Sequence, residues 1–507
     1  MAAYYLGIDQ GTTLTTALLV DQDWRIAARG RRAHRQIHPR PGWVEHDPEE
    51  IFECVLGAIG EALSRLPGGR AQDIIGLGLD HQGETCLIWD KGTGRPLYNA
   101  IVWQDRRTSD FAERLKKEHG RYIQETTGLW PDSYYTATKI KWLLDHVPGA
   151  RDRAARGELL AGTLNTWLIW KLSGGRAFAT DSCSGSRTML MSLRTRQWDR
   201  TIAGLVDVPL DLLPPIGDCN QIFARTEPRI FWGAEVPICG SLSDSHAGLI
   251  GGGGSRVGTL KTSYGTGCFM NLVTGDEFVI SRQGLAACCA WQIDGHPTYT
   301  LNGAAYIAGA AVEWLRTGLE LIGDLAEVES LARSVPDTRD VYFVPAFAGL
   351  ATPHWDQYAR GAFLGLTGGV TKAHLVRSVL ESVAFQTTDC YRAMKREYQG
   401  DIPRMRADGG MVDNEFLMQF QADLLGLPVV VPQEKESAAF GAAVMTAVTL
   451  GRLSGLEEID HHVQLKKTYE PFISADERES RLARWLKAVE RSKGWAKPSE
   501  EDERGQG

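Results

Sequence analysis

The first residues that could carry chemistry are Asp9-Gln10-Gly11-Thr12-Thr13, a polar turn that interrupts the β-prone run from Tyr5 to Val20. A small turn rich in Gly and Thr lets backbone N–H groups and hydroxyls converge on a phosphate without side-chain bulk. An Asp at the end of a strand can hold Mg²⁺, usually through water, because that ion dehydrates reluctantly. A plain hairpin turn explains the same residues, so this loop alone leaves both interpretations open.

Two further glycine-rich units favour phosphate binding. Gly265-Thr266-Gly267 interrupts a second β-rich run and could close on the same phosphates from the other side. Gly409 and Gly410 come just before a helix predicted to begin at Asn414, where a nucleotide could approach the backbone. The sequence has no Gly-Lys pair, hence no Walker A motif, and no G-x-G-x-x-G follows a predicted strand. A nucleotide site built from these units is therefore of another type.

Each half of the chain opens with a strand, a Gly/Thr turn and a strand, and the elements around these turns can be predicted. Helices are expected at Leu159–Leu172, His374–Tyr398 and Asn414–Leu425, and after the capping-box pattern that starts at Ser474. The run Gly251–Gly254 predicts a flexible connector at a domain boundary. We therefore expect domains over residues 1–252 and 253–495, followed by a disordered acidic tail over residues 496–507.

The overall composition excludes several classes of protein. The chain has 507 residues, a formal net charge of −8 and an isoelectric point of about 5.9. This acidic balance argues against general binding to nucleic acid or to an anionic membrane. No apolar run approaches the roughly 18 residues of a membrane-spanning helix. The nine cysteines include no C-x-x-C pair. We therefore expect a cytoplasmic protein with reduced thiols.

Two longer motifs carry a resemblance to a known family. One is Tyr134-x-Thr136-x-x-Lys139-Ile140-x-Trp142-Leu143-x-Asp145-His146, and the other is Gly361-x-Phe363-x-Gly365-Leu366, followed after seven residues by His374-Leu375-x-x-Ser378-Val379-Leu380-Glu381. They resemble the two signatures of the FGGY family of carbohydrate kinases. The resemblance extends roughly from Tyr5 to Lys493 and, within the family, is strongest to the glycerol kinases.

The resemblance implies an α/β fold of two actin-like, ribonuclease-H-like domains with the active site in the cleft between them. It implies ATP and Mg²⁺ as cofactors and transfer of the γ-phosphate to a primary hydroxyl of a small polyol or sugar. Asp244 is then the catalytic base, and Asp9 and Asp244 are the metal-binding carboxylates. The implied nucleotide-binding residues are Gly11, Thr12, Thr13, Gly265, Thr266, Gly267, Gly309, Glu313, Gly410 and Asn414. The implied acceptor-binding residues are His81, Gly83, Glu84, Trp103, Tyr134, Asp244, Ser245 and Phe269.

The sequence departs from the family pattern at several positions in or near this implied site, of which Glu313, where the family has a glutamine, is a mild exchange. Gly83 and Thr16 stand where glycerol kinases carry arginines, and Ser245 stands where they carry glutamine. The first interpretation is a glycerol kinase that holds its substrate by fewer groups. The second, which we favour modestly, is an enlarged pocket for an acceptor of about four or five carbons, whose extra hydroxyls meet His81, Ser245 or His246.

Other classes of function share the actin-like plan. An actin-like ATPase would hydrolyse ATP without an acceptor, and a catalytically silent regulatory paralogue would bind ATP and phosphorylate nothing. The pocket residues Glu84, Trp103, Tyr134 and Asp244, together with both signatures, favour the kinase. A homodimer is plausible from the resemblance alone.

Overall fold

The computed structural model describes residues 3–497. The predicted tail falls mostly outside this range: residues 498–507 are not described, whereas Ala496 donates its backbone N–H to the carbonyl of Tyr358. Within residues 3–497, no helix combines the length and apolar character that crossing a bilayer requires.

The first half of the chain contains twelve strands and eight helices in the described residues. The strands are β1 (Tyr4–Gln10), β2 (Leu14–Val20), β3 (Ile26–Ala33), β4 (Glu45–His46), β5 (Ile74–His81), β6 (Cys86–Asp90), β7 (Ala100–Ile101), β8 (Leu159–Thr163), β9 (Thr180–Asp181), β10 (Ile216–Gly217), β11 (Ile222–Arg225) and β12 (Pro237–Ser243). The helices are α1 (Pro48–Ser64), α2 (Ser109–Thr127), α3 (Thr136–His146), α4 (Ala150–Ala155), α5 (Leu164–Leu172), α6 (Ser182–Ser186), α7 (Arg200–Leu205) and α8 (Asp244–Gly251).

The second half, as far as residue 497, contains nine strands and six helices. The strands are β13 (Leu260–Tyr264), β14 (Cys268–Gly275), β15 (Ala286–Ile293), β16 (His296–Ala305), β17 (Tyr342–Val344), β18 (Ala362–Leu364), β19 (Met405–Asp408), β20 (Val429–Pro432) and β21 (Leu465–Tyr469). The helices are α9 (Gly309–Thr317), α10 (Glu327–Arg333), α11 (Lys372–Glu397), α12 (Glu415–Leu425), α13 (Ser437–Thr449) and α14 (Ala475–Ser492).

The two large sheets share one plan. In the first, the strand order is β11-β12-β5-β1-β2-β3, with β1, β2 and β3 antiparallel and β5 and β12 parallel to β1. In the second sheet, the order is β15-β16-β14-β13-β19-β20-β21. β13 and β14 form the corresponding antiparallel hairpin, and β19 and β20 run parallel to β13. Each half is therefore an α/β unit whose Gly/Thr turn lies at the end of its central hairpin, as the resemblance implies.

Most helices follow their sequence signals. Asn414 accepts a hydrogen bond from the backbone of Leu417 at the start of α12, and Gly426 ends that helix in the left-handed conformation. Ser474 caps α14 in the same way, and the helix predicted near His374 is confirmed as α11. The helix predicted from Leu159 is wrong in its first part, because Leu159–Thr163 pairs with β6 as strand β8. Pairing with a neighbouring strand decides the secondary structure of such a short apolar run, whatever its own helix propensity.

The run Gly251–Gly254 is not a flexible connector. All four glycines are buried, and the backbone N–H groups of Gly253 and Gly254 donate to the carbonyls at the end of α8, Ile250 and Leu249, at 2.9 Å each. The run is therefore a tightly packed turn. Composition alone suggested flexibility because it carries no information about what lies against each glycine.

Packing against helix α13 explains why glycine is required at Gly251 and at two positions of the first sheet. This helix follows β20 of the second sheet in the sequence but packs on the first sheet, against β1, β5 and β12, and against α8. A Cβ added to Gly7, Gly78 or Gly251 would overlap a backbone carbonyl oxygen of α13, that of Ala439, Ala442 or Ser437 respectively. The two halves therefore meet by direct contact of their backbones along this helix.

Candidate functional site

A cavity of about 760 Å³ lies between the two sheets. Residues from both halves line it, and they include most of the acceptor and metal residues and two of the nucleotide residues expected from the sequence. These are Asp9, Gly11, Thr12, Gly83, Glu84, Trp103, Tyr134, Asp244, Ser245 and Phe269. The rings of Trp103 and Tyr134 meet edge to face at 5.6 Å between centroids, and those of Trp103 and Phe269 at 6.2 Å. The first half thus supplies the predicted polar side chains of the cavity, and the Phe269 ring of the second half lies against Trp103.

Two histidines that the sequence suggested for the acceptor pocket face elsewhere. His81 is fully buried, is not among the described residues that line the cavity, and its Nε2 lies 2.9 Å from the hydroxyl of Ser184. Burial lowers the pKa of His81 to about 3. His246 is also buried, between the hydroxyls of Ser243 and Thr300. Both are structural histidines, so the expectation that they meet acceptor hydroxyls is corrected.

Arg187, at the end of α6, brings a guanidinium to the place where Gly83 supplies no side chain. If Gly83 carried a Cβ, its nearest neighbour would be Arg187 Nε, at 4.0 Å. Arg187 Nε donates to Glu84 Oε1 at 2.6 Å, and Nη2 donates to the Tyr134 hydroxyl at 3.2 Å. Burial alone would lower the pKa of Arg187, but the Glu84 carboxylate raises it well above its ordinary value. The pocket therefore contains an arginine–glutamate pair, formed by Arg187 and Glu84. The space left by the missing side chain at Gly83 lies next to the Arg187 guanidinium.

Asp244 is the first residue of α8, directly after β12, so its carboxyl lies at the end of a parallel strand. Its Oδ1 accepts the backbone N–H of Ser245 at 2.6 Å. Burial and the charge of Glu84 raise its pKa to about 6, opposed by that hydrogen bond and by the cations Arg187 and Lys261. A carboxylate with a pKa near the working pH is suited to accept a proton from a hydroxyl.

We expect the Asp244 carboxyl to titrate near pH 6 in the metal-free protein, above the usual value of about 4 for aspartic acid. Because a base must be ionised, kcat/KM should fall as the pH drops below 6. Carbon-13 NMR of the aspartate carboxyls, with Asp244→Asn to assign the signal, measures the midpoint directly. A midpoint near 4 would show that burial does not shift this group.

Asp9 is paired across parallel strands with Asp80, a carboxylate that sequence reasoning missed. Asp9 Oδ1 and both carboxyl oxygens of Asp80 are buried and have no hydrogen-bond partner within residues 3–497. Burial and the charge of Asp244 raise the pKa of Asp9 to about 7, and burial and the charge of Asp9 raise that of Asp80 well above its ordinary range. Carboxylates that repel one another and lack donors fit a bound cation.

The direct ligands for such a cation are few. Within the described residues, no three His, Cys, Asp or Glu side chains converge closely enough to hold one metal ion. Mg²⁺ keeps several waters when it binds to one or two carboxylates. Asp9 and Asp244, with their unpaired and mutually repelling charges, therefore fit Mg²⁺ held mainly through water.

Of the predicted nucleotide-binding residues, Gly11 and Thr12 of the first Gly/Thr turn line the cavity, whereas Thr13, the second turn Gly265-Thr266-Gly267 and Gly309, Glu313, Gly410 and Asn414 are not among the described residues that line it. On the first-half side, Trp103 Nε1 donates to the hydroxyl of Thr12 at 2.9 Å, which ties the acceptor pocket to the turn that ends at Thr13. On the second-half side, Gly309 donates its N–H to the carbonyl of Gly265 at 2.9 Å, and a Cβ on Gly309 would lie 2.6 Å from that oxygen. This close approach brings the start of α9 against the turn Gly265-Thr266-Gly267.

The remaining predicted nucleotide residues differ in whether they are free to bind a ligand. Gly410 begins a short helical turn that follows Gly409, whose backbone packs directly against Tyr264. The side chain of Asn414 is used to cap α12. The carboxylate of Glu313 pairs with Arg316 on the surface of α9. Gly410 thus offers open backbone, whereas the side chains of Asn414 and Glu313 already have partners.

A buried lysine lies near these phosphate turns. Lys261, on β13, lines the cavity and contacts the Asp408 carboxylate at 2.7 Å and the Ser263 hydroxyl at 2.9 Å. It lowers the pKa of Asp244 through its charge. Thr16, where an arginine was expected from the resemblance, is buried within the sheet opposite Asp9. Lys261 is therefore a cation of the cleft that the sequence motifs did not indicate.

Comparison with known proteins agrees with this geometry. Residues 4–251 match the N-terminal domain of the FGGY family of carbohydrate kinases, and residues 260–450 match its C-terminal domain. The chain is 45% identical over 495 residues to glycerol kinase 2 of Thermotoga maritima, covering 97% of this chain and 99% of that protein. It is 46% identical over 501 residues to the glycerol kinase of Bordetella parapertussis, covering 98% of each.

A solved structure extends the likeness to three dimensions. The crystal structure of Plasmodium falciparum glycerol kinase with ADP superposes with a TM-score of 0.91 at 31% identity, covering 97% of this chain and 98% of that one. The xylulose kinase of Lactobacillus acidophilus superposes with a TM-score of 0.85 at 22% identity, over 97% of each chain, which supports the fold. The family matches and the full-length relatives lead to one conclusion: the chain belongs to the FGGY family of carbohydrate kinases.

Proposed function

We propose that the protein transfers the γ-phosphate of ATP to a primary hydroxyl of a small acyclic polyol or ketose, with Asp244 as the base. The observation that carries this proposal is the position of Asp244. Its carboxyl shares one interdomain cavity with the Glu84–Arg187 pair on the acceptor side and with Asp9 and Gly11 on the phosphate side. A base within one cleft, between a group that binds hydroxyls and a turn suited to phosphate, is the arrangement that this transfer requires.

The residues of the first half would orient the acceptor. Glu84 accepts hydrogen bonds from acceptor hydroxyls, and the Arg187 guanidinium donates to them while it holds the Glu84 carboxyl in place by a hydrogen bond. Trp103 and Phe269 cover the carbon chain and exclude water. Asp244 then accepts the proton of the hydroxyl that attacks the phosphate, and the phosphate passes to that oxygen as its bond to ADP breaks.

The phosphate side has the groups that ATP and Mg²⁺ need. Gly11 and Gly265 donate their own N–H groups to the carbonyls of Leu14 and Gly267, so the threonines that follow them would supply N–H groups to a phosphate. Lys261 offers a cation, and Asp9 and Asp244 fit the metal ion. When bound, Mg²⁺ would neutralise charge on the transferred phosphate. Lys261 would add to this and supply the positive charge that Thr16 lacks.

The size of the acceptor is the open part of the proposal. The small side chain of Ser245 leaves room beside Asp244, which favours an acceptor longer than glycerol. Glycerol itself is the second candidate, because Arg187 restores an arginine–glutamate pair beside Gly83 and the relatives cited above are named glycerol kinases.

A coupled assay of ADP release with an acceptor panel tests the function. We expect negligible turnover with Mg²⁺ and ATP alone, and a rate at least about a hundredfold higher with the best polyol or ketose, since the acceptor completes the site. Full turnover without any acceptor would identify an ATPase. ATP binding with no turnover on any acceptor would identify a silent regulatory protein.

A further inference from the structure

The acceptor cavity has a polar wall that the proposed mechanism does not use. On β14, Phe269 and Asn271 project from one face of the sheet, because Met270 between them lies in the core of the second half. On β16, Asn302 projects from the same face, because Leu301 lies in that core. Both asparagines line the cavity. Two amides therefore face the space in which the acceptor would bind.

The strand pairing fixes where these amides lie. Asn271 is directly opposite Asn302 in the pairing of β14 with β16. The next cross-strand pair on the same face in one direction is Phe269 with Ala304, and the Phe269 ring covers Trp103. The asparagine pair is thus one step along the sheet, about 7 Å, beyond the aromatic cover.

The opposite direction leads to the arginine–glutamate pair. Asn302 is paired with Ala286 of β15, and Cys288 follows two residues later on the same face. The sulfur of Cys288 lies 3.1 Å from Arg187 Nη1. Along the sheet the two amides therefore lie between the aromatic cover and Arg187, and Asn271 is also directly opposite Lys261 of β13.

Both amides have unused hydrogen-bonding capacity. The Oδ1 atoms of Asn271 and Asn302 are buried and have no partner within residues 3–497, and Asn271 is only 2% exposed. A buried polar group without a partner destabilises the fold, so such groups normally have a partner in protein, water or ligand. An amide both donates and accepts, as a hydroxyl does. An anion would use only the donors and a cation only the acceptors, so an uncharged hydroxylated ligand fits best.

We propose that Asn271 and Asn302 form a distal subsite that binds acceptor hydroxyls beyond the third carbon. The substrate class is then the acyclic polyols and ketoses of about four or five carbons, which a site built to hydrogen-bond hydroxyls separates from shorter ones. Ser245, on the opposite wall, leaves the space that such an acceptor needs. This inference rests on the proposed kinase function.

The test replaces the amides with leucine, which is similar in size and cannot hydrogen-bond. Wild type, Asn271→Leu, Asn302→Leu and the double variant are assayed with glycerol, erythritol, D-threitol, xylitol and D-xylulose. We expect the wild type to give its highest kcat/KM with a four- or five-carbon compound. The double variant should lose about tenfold or more of that value and change by less than about twofold with glycerol. Asn220→Leu, which removes an amide outside the cavity, is the matched control.

Two results would overturn the subsite, and a third concerns the proposed function. If glycerol is the best acceptor of the wild type, or if the double variant loses the same factor with every acceptor, the subsite is wrong while the kinase function stands. If no compound is phosphorylated, the proposed function fails too. Thermal unfolding of each variant checks that it folds. If the double variant does not fold, Asn302→Ala, at a half-buried position, repeats the comparison and must shift the preference towards glycerol.

Discussion

Replacing Asp244 with asparagine should reduce kcat by about a hundredfold to ten-thousandfold and leave ATP binding unchanged, since this is the range that a positioned general base contributes. Asparagine has the same shape and can accept the N–H of Ser245, so the start of α8 is preserved. It cannot take a proton from the acceptor hydroxyl. The coupled assay at saturating acceptor measures kcat, and calorimetric titration of ATP into the protein measures binding.

Asp211→Asn is a matched control, because Asp211 is exposed and lies outside the cavity. It should retain wild-type kcat. Turnover by Asp244→Asn within about tenfold of wild type would contradict the assignment of the base. A parallel loss of ATP binding would instead indicate that Asp244 acts mainly through the metal ion.

Replacing Arg187 with methionine should lower kcat/KM for every acceptor by about a hundredfold or more and reduce thermal stability. Removing one partner of a buried ion pair costs about 3–5 kcal/mol, because the other charge is left uncompensated. Here that charge is Glu84, which is 3% exposed. The loss should appear mainly in the KM for the acceptor, with the KM for ATP little changed. Arg200→Met, an exposed arginine of α7, is the control.

A second-site change separates the role of Arg187 in binding from its role in folding. With methionine at position 187, Gly83→Arg should return at least about tenfold of the lost kcat/KM, because it restores a guanidinium beside Glu84. The return should be partial. Gly83 has φ +21°, at the edge of the left-handed region, where a side chain adds strain of roughly 1–2 kcal/mol. No recovery in a folded double variant would show that Arg187 acts only as a structural residue.

The fold was largely predictable from the sequence, because its signals are local. The hairpin around Gly11, the helix that begins after Asn414 and the cap at Ser474 each depend on residues within a few positions of one another. The features that failed depend on distant neighbours. Gly251–Gly254 looked flexible because the sequence does not show that α13 lies against it.

The residues of the candidate site also separate into those with a local sequence signal and those that only the folded structure brings together. Glu84, Trp103 and Asp244 could be assigned from motifs and do line the cavity. Arg187 follows a short helix in no motif, about a hundred residues beyond its partner Glu84, so only the folded structure brings the two together. The sequence did contain a signal for Asn271. A residue two positions after Phe269 in a strand lies on the same face of the sheet as Phe269, so this polar side chain could have been assigned to the pocket.

The close contact of α13 with the first sheet bears on how the polypeptide is made. That helix follows Asp244 and the rest of the first half by almost two hundred residues, yet it covers β1, β5 and β12. During synthesis from the N-terminus, this face of the sheet stays bare until Ser437–Thr449 has left the ribosome, although domains generally fold as units in the order of their synthesis. The first half therefore lacks the cover of this sheet face until α13 has been made, and a nascent chain that stalls before α13 exposes apolar surface there.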